Sequence, residues 1–252
     1  MYKIVIPSYK RSPNSPEPMR ILQTDILDLN PTFVIRADDP QFEDYKKFNY
    51  ILQDGKGIQN ARNAYLKQFD EPIFAIDDDF DSFFNKGPNG KKTKCTAKQF
   101  FEEWNEVCEK NSENAIIGVG SFVWYNFQKD KGLTSIWAED GCHWLNVPLL
   151  KQHNLYYDEG IIYENVDLSI RCWGHGLGVK RWTPICTHRY FDDAHKKSPT
   201  PAAYQGGTTR IDYMNNTVAK WPFLRKTDNY VRTSCSSIKK WFREHPIETN
   251  SV

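Results

Sequence analysis

Three consecutive carboxylates, Asp77, Asp78 and Asp79, follow directly on the apolar run PIFAI. Like charges this close repel, and at the end of a buried strand they are costly unless a cation or hydrogen-bond donors compensate them. A hard divalent cation with oxygen ligands is the natural compensation. Mg²⁺ or Mn²⁺ held by one or two carboxylates can then bridge a diphosphate. The alternative is an exposed acidic turn capping the next helix. A second cluster lies in PSYKR, where Pro7, Ser8 and Arg11 end the first apolar run, KIVIP. Its hydroxyl and guanidinium lie beside the aspartates if the two apolar runs are neighbouring strands, and a nucleotide could be held there. Arg62, flanked by Asn60 and Asn63 in GIQNARN, offers a planar two-pronged donor to a diphosphate, or is a solvent-facing helical arginine. Glu164 and Asp167 of ENVD are three residues apart and share a helix face, with Glu164 in the first turn. A carboxylate there is either a base toward a hydroxyl or a helix-start charge.

The elements that must position these groups alternate. KIVIP (3–7), TFVIRA (32–37), NYILQ (49–53) and PIFAI (72–76) read as strands. Between them, apolar residues at helical spacing predict helices over 16–29, 40–47 and 57–69. This β-α-β-α order favours a mostly parallel sheet with helices on its faces. In open sheets of this kind ligands bind beyond the carboxyl ends of the strands, where Asp77–Asp79 fall. A Gly/Lys-rich loop is expected at 85–94, then a helix over 96–111 with Thr96 as N-cap. Strands near 115–119 and 121–127 and helices at 146–153 and 164–176 follow. A long polar loop spans 188–210, and helices near 210–220 and 235–244 close the chain. Loops of that length in compact domains are usually functional or mobile.

The ordered set PSYKR, GIQNARN, IDDDF and DEGIIYENVDLSIRCWGHG resembles the GT-A glycosyltransferases of the inverting family 2 type, over roughly residues 1–190. GIQNARNAYLKQFDEPIFAIDDDF is particularly similar to the TET-associated glycosyltransferases, a branch encoded largely by phages and associated with hydroxymethylated pyrimidines in DNA. The resemblance implies a Rossmann-like α/β fold with a catalytic domain over 1–190, its nucleotide-sugar half at 1–85 and its acceptor half at 86–190. Residues 191–252 would form a basic loop and helical extension packed on the same domain. It also implies that Asp77 contacts the nucleotide's ribose, and that Asp77 and Asp79 hold Mn²⁺ or Mg²⁺ with Asp78 nearby. Pro7, Ser8, Arg11 and Arg62 would line the nucleotide site. The general base would be Glu164 or Asp167; Asn165 stands where the family usually has an acid, and Glu164 is preferred. His188 or His195 would complete the metal site, and Gly206, Gly207 and Arg210 of QGGTTR could close over the diphosphate. The reaction implied is inverting transfer from a nucleotide sugar, UDP-linked in preference, to a hydroxymethylated pyrimidine in DNA. A saccharide or protein acceptor, or a non-catalytic nucleotide- or DNA-binding module, are the alternatives.

Net charge adds to this reading. The whole chain is at +1, yet residues 171–252 hold 14 Lys and Arg against 6 Asp and Glu. A basic segment of that kind can neutralise phosphates. It includes Arg225, Arg232 and Lys240 among aromatics such as Phe223 and Trp241, which could stack on an extruded base. Six scattered cysteines without a CxxC pair indicate reduced thiols rather than a zinc knuckle or a disulfide framework. With no apolar run near 18 residues and no signal-peptide pattern, a cytoplasmic protein without membrane contact is expected, in the host cytoplasm if phage-encoded.

Overall fold

The computed structural model describes residues 1–10, 25–86, 91–121, 132–137, 142–158, 164–189, 210–227 and 231–247. In its first half the chain forms β1 (Lys3–Pro7), β2 (Thr32–Ile35), α1 (Phe42–Tyr45), β3 (Asn49–Leu52), α2 (Ile58–Gln68) and β4 (Ile73–Ile76). A hairpin follows, β5 (Phe80–Lys86) with β6 (Lys92–Cys95), and then α3 (Ala97–Lys110). The next stretch of chain holds β7 (Asn114–Ser121), β8 (Leu133–Ser135), β9 (Cys142–Leu145), α4 (Val147–Gln152), α5 (Glu164–Gly174) and β10 (Gly178–Arg189). A terminal lobe is made by α6 (Arg210–Lys220), β11 (Arg225–Lys226), β12 (Val231–Arg232) and α7 (Cys235–Glu244).

Among the described residues ten strands join one sheet in the order β3-β2-β1-β4-β9-β7-β10-β5-β6, with β8 on β10. The block β3-β2-β1-β4 is parallel throughout, as is the pair β7-β10. Antiparallel β9 joins the two blocks, and the β5-β6 hairpin runs antiparallel along the far edge. β1 lies between β2 and β4, so the strand order reverses beside it. Such a reversal opens a crevice at the strands' carboxyl ends, where an α/β sheet can receive a ligand.

Alternation along the strands divides the core between two faces. Ile4, Ile6, Phe33, Ile35, Phe74 and Ile76 face α3, whose Phe100, Phe101, Trp104 and Cys108 form one apolar stripe. Val5, Val34, Ile73 and Ala75 face the opposite way, onto Ala61, Tyr65 and Leu66 of α2 and Leu168 and Cys172 of α5. Both faces of these parallel strands are covered, which explains why they read as continuous apolar runs. A smaller core ties the terminal lobe to α5: Ile170 packs with Met214, Leu224, Val231 and Ile238. Gly174 permits this close approach, because a Cβ there would stand 2.3 Å from Ile247 and 2.8 Å from Phe242. All six cysteines are free thiols. Among the described residues no helix is long and apolar enough to cross a membrane.

Several elements differ from the sequence reading. Of the loop expected at 85–94, residues 85–86 end β5 and 92–94 belong to its antiparallel partner β6, strands that alternate too weakly to be read, and 87–90 lie outside the described residues. The Asp77–Asp79 turn therefore leads into a strand and not a helix. β9 and β10 were unforeseen: β9 is four buried residues, and β10 is a twelve-residue run broken by Pro184 and register shifts. The expected helix at 16–29 falls mainly outside the described residues, and its described end, Asp25–Leu29, is a 3-10 turn. Of the expected strand at 121–127 only Ser121 is described, as the end of β7; of the long loop expected at 188–210, His188 and Arg189 instead end β10, and 190–209 lie outside the described residues.

The start of α3 is doubly secured. Thr96 accepts from the Gln99 backbone at 3.1 Å while Gln99 accepts from the Thr96 backbone, and Asp25 accepts from the Ala97 N–H at 3.0 Å. Loss of a capping hydroxyl costs about 1 kcal/mol. Thr96→Ala should lower unfolding stability by that amount in urea titration, with an unchanged m-value.

Candidate active site

The site assembles at the carboxyl ends of β1 and β4, which pair directly. Ser8, just past β1, donates from Oγ to Asp78 Oδ2 at 2.6 Å, and its hydroxyl also meets the Tyr45 hydroxyl at 2.8 Å. The hydroxyl of PSYKR and the aspartates of IDDDF are thus brought together. Pro7 is buried and occupies the last position of β1, opposite Val34. Next to Ser8, Asp39 accepts from the backbone N–H groups of Lys10 and Gln41, at 2.8 and 2.9 Å. Arg36, paired with Asp38, lies over the ring of Tyr9 at 4.6 Å. These residues form a wall that the sequence reading passed over as an acidic turn.

Arg62 is at the centre. It projects from α2 with 3% of its side chain exposed, and Nη2 donates to Asp77 Oδ1 at 3.0 Å. Its Nη1 lies 3.2 Å from Glu164 Oε1, off the hydrogen-bond direction, so this contact is an ion pair without an aligned hydrogen bond. The guanidinium also rests on the Tyr157 ring at 5.3 Å. Asn63, the next residue, clamps that segment by donating to the Tyr157 carbonyl and accepting from its N–H, both at 2.8 Å. The Tyr157 hydroxyl meets His143 Nε2 at 3.3 Å. Tyr157 carries no sequence signal beyond its place in LYYDEG, since stacking on Arg62 depends on two segments 95 residues apart.

The two ENVD carboxylates have different surroundings. Glu164 is buried at the start of α5, and its pKa is raised to about 7. Burial is the largest cause and raises it; Arg62 and the Glu164 backbone N–H oppose, and Asp77 adds a smaller upward push. Burial would lower the pKa of Arg62, but Glu164 and Asp77 outweigh it and hold the guanidinium above its ordinary value. Asp167, one turn on and fully buried, accepts hydrogen bonds from Arg171 Nε at 2.8 Å and Trp221 Nε1 at 2.9 Å and forms an ion pair with Lys220 Nζ at 2.8 Å. Its oxygens are committed to fastening α5 to the terminal lobe. Glu164 has one ion-pair partner and an affinity for a proton near neutrality.

A divalent cation fits this end of the sheet by ligand chemistry. Asp77 and Asp79 are half-buried carboxylates on the turn after β4. β10 delivers His188 to the same sheet end, opposite Ser82, with Arg189 opposite Phe80 across a bulge. Carboxylate oxygens and an imidazole suit Mg²⁺ or Mn²⁺. Among the described residues no three such side chains form a ready ligand cluster, and a cation that completes its shell from a diphosphate does not require one. Arg11, His195, Gly206 and Gly207 lie outside the described residues. Arg210 begins α6, and only its backbone is described.

The fold and this crevice define a GT-A-type α/β protein with a large mixed sheet that is mostly parallel in its core. No protein-family profile matches the chain, and no curated protein is similar to it. Among solved structures it is similar to S. aureus TarS 1-349 in complex with UDP, with a TM-score of 0.51 and 11% identity over 88% of this chain and 71% of that one. It is also similar to the mannosyltransferase PcManGT from Pyrobaculum calidifontis in complex with GDP-Man and Mn²⁺, with a TM-score of 0.52 and 13% identity over 87% and 68%. These neighbours are GT-A-like nucleotide-sugar transferases.

Removing one partner of a buried ion pair costs about 3–5 kcal/mol. Arg62→Met should show a loss of that order at pH 8 and a smaller one at pH 5, by urea unfolding. The sign follows from Glu164. Its folded pKa lies above its unfolded value, so the stability it contributes is full below about 4.5 and declines as pH rises through about 7. Without Arg62 the Glu164 pKa should rise further, so the decline should continue above pH 7.

Proposed function

We propose that this chain is a metal-dependent glycosyltransferase that moves a sugar from a nucleoside-diphospho-sugar, UDP-linked in preference, onto a hydroxyl with inversion. The observation that carries the reading is the arrangement around Arg62. One buried guanidinium holds Asp77, at the donor end of the sheet, and Glu164, a carboxylate with a pKa of about 7. A base with that affinity can take a proton from an acceptor hydroxyl and is half ionised near neutral pH. The GT-A fold shared with neighbours solved with UDP, or with GDP-Man and Mn²⁺, supports the donor class.

Ser8, Asp78 and Asp77 would line the nucleotide, with Pro7 shaping the floor. Asp79, Asp77 and His188 would hold Mn²⁺ or Mg²⁺, which supplies Lewis-acid neutralisation of the charge that develops on the leaving diphosphate. Glu164 would accept the hydroxyl proton while the oxygen attacks the anomeric carbon from the face opposite the leaving group. Arg62 keeps Glu164 partly ionised against the burial that favours its neutral form. Asp167 is the weaker candidate for the base, because two hydrogen-bond donors and the Lys220 ammonium already occupy its oxygens.

For the acceptor we propose a hydroxymethylated pyrimidine in DNA. The likeness of GIQNARNAYLKQFDEPIFAIDDDF to the TET-associated branch supports it, together with the basic terminal segment. Purified protein incubated with Mn²⁺, UDP- and GDP-sugars, and DNA containing 5-hydroxymethylcytosine or 5-hydroxymethyluracil should add one hexose or pentose to the modified base, read by nucleoside mass. Donor hydrolysis with no nucleoside gaining mass would remove the DNA acceptor; neither event would remove the enzyme.

Asp79→Ala should abolish transfer. Glu164→Gln should lower kcat by about 10²–10⁴, the usual worth of a positioned base, with donor binding retained. For the wild type, log(kcat/KM) should rise with pH up to about 7 and then level, because only the ionised carboxylate accepts the proton. A profile flat from pH 5 to 8 counts against Glu164.

A further inference from the structure

The terminal lobe carries chemistry that the site around Arg62 does not use. β11 and β12 pair with Arg225 directly opposite Arg232, both exposed. Like charges opposed across a two-stranded ribbon destabilise it, and among the described residues neither arginine has a carboxylate partner. Both line an open cleft of about 510 Å³, and Lys240 of α7 lines it too. Its one carboxylate, Glu244, stands 4.0 Å from Lys240. Three cations therefore face one anion. The rest of the lining is aromatic and hydroxylic: Thr233, Ser234 and Ser237 stand with Phe223 and Trp241, whose ring centroids are 5.5 Å apart, and Trp241 stacks on His245 at 3.9 Å.

We propose that this cleft binds the phosphodiester backbone of a nucleic-acid strand, with Arg225 and Arg232 on adjacent phosphates and the aromatic wall beside the bases. Cations that track a backbone next to flat rings are the combination single-stranded nucleic acids use, since neutralised phosphates and stacked bases both contribute. An acidic peptide would match the charge and leave the aromatic wall without a stacking partner. The lobe is fixed to α5 through Ile170 and through the bonds of Trp221 and Lys220 to Asp167, so a strand held here is anchored on the helix that starts at Glu164. The anchoring role rests on the DNA-acceptor reading; the binding itself does not.

Fluorescence anisotropy with a labelled unmodified thymidine 12-mer tests it. Wild-type protein should bind with an affinity that falls as salt rises. Arg225→Gln with Arg232→Gln should weaken binding at least tenfold at 100 mM salt. The same pair should flatten the log K against log salt slope by about 1.4, roughly 0.7 per phosphate contact on single strands. Replacing both arginines by lysine should restore most of the affinity; the melting temperature should not fall in either variant, and donor hydrolysis should stay at its wild-type value in both. No binding by wild type, equal binding by the glutamine variant, or displacement of the strand by polyglutamate as readily as by unlabelled DNA would overturn the proposal. Loss of strand binding in the glutamine variant, with no sugar transfer to modified DNA by wild type, overturns the acceptor reading and leaves the cleft. Transfer with an unchanged KM for DNA in that variant overturns the cleft and leaves the acceptor.

Discussion

A guanidinium with 3% of its side chain exposed has to be balanced where it stands, and Arg62 is balanced by carboxylates from two other segments. Asp77 comes from the end of β4 and Glu164 from the start of α5, while Tyr157 lies under the guanidinium plane. Leaving any of these charges unpaired inside the protein is costly. The arrangement therefore fixes three chain segments at once. Asn63 reinforces it one residue along, bonding both backbone groups of Tyr157. The carboxyl end of β4 and the first turn of α5 are held in one geometry by one side chain.

That constraint separates two carboxylates that look alike in sequence. Glu164 and Asp167 share a helix face, yet burial raises one to about 7 against the opposing pull of Arg62, while two hydrogen-bond donors and the Lys220 ammonium occupy the other. Environments that give neighbouring acids different tasks are how a fold supplies a base near neutral pH. Asp167 acts as a fastener, and its partners Trp221 and Lys220 belong to the terminal lobe. The lobe and the site thus share α5, one through its buried side and the other through its first turn.

The sheet order explains why Ser8 and the Asp77–Asp79 turn meet. With β1 between β2 and β4, Ser8 and Asp78 emerge side by side where the strand order reverses, and the 2.6 Å bond between them closes one wall of the crevice. Beyond β9 the sheet turns mixed, and β10 returns along β5 to bring His188 to the same end. GT-A-like nucleotide-sugar transferases share this fold at 11–13% identity. At that distance the fold is common property and the chemistry depends on local residues.

Local pattern determined much of this. The apolar runs of β1 to β4, the periodicity of α2, α3 and α5, and the Thr96 cap are properties of short segments, and each stands within a few residues of its expected place. The carboxylates at the end of β4 and the arginine of GIQNARN were legible because charged groups beside buried elements are costly and stand out. The β5-β6 hairpin, β9 and β10 were not legible, because their stability comes from pairing partners far along the chain. Only the tertiary structure decided that Arg62 faces Glu164, that Tyr157 supports it, and that Asp167 is occupied. A residue's burial and charge partners are set by segments about 100 positions away, and spacing along one helix carries no record of them.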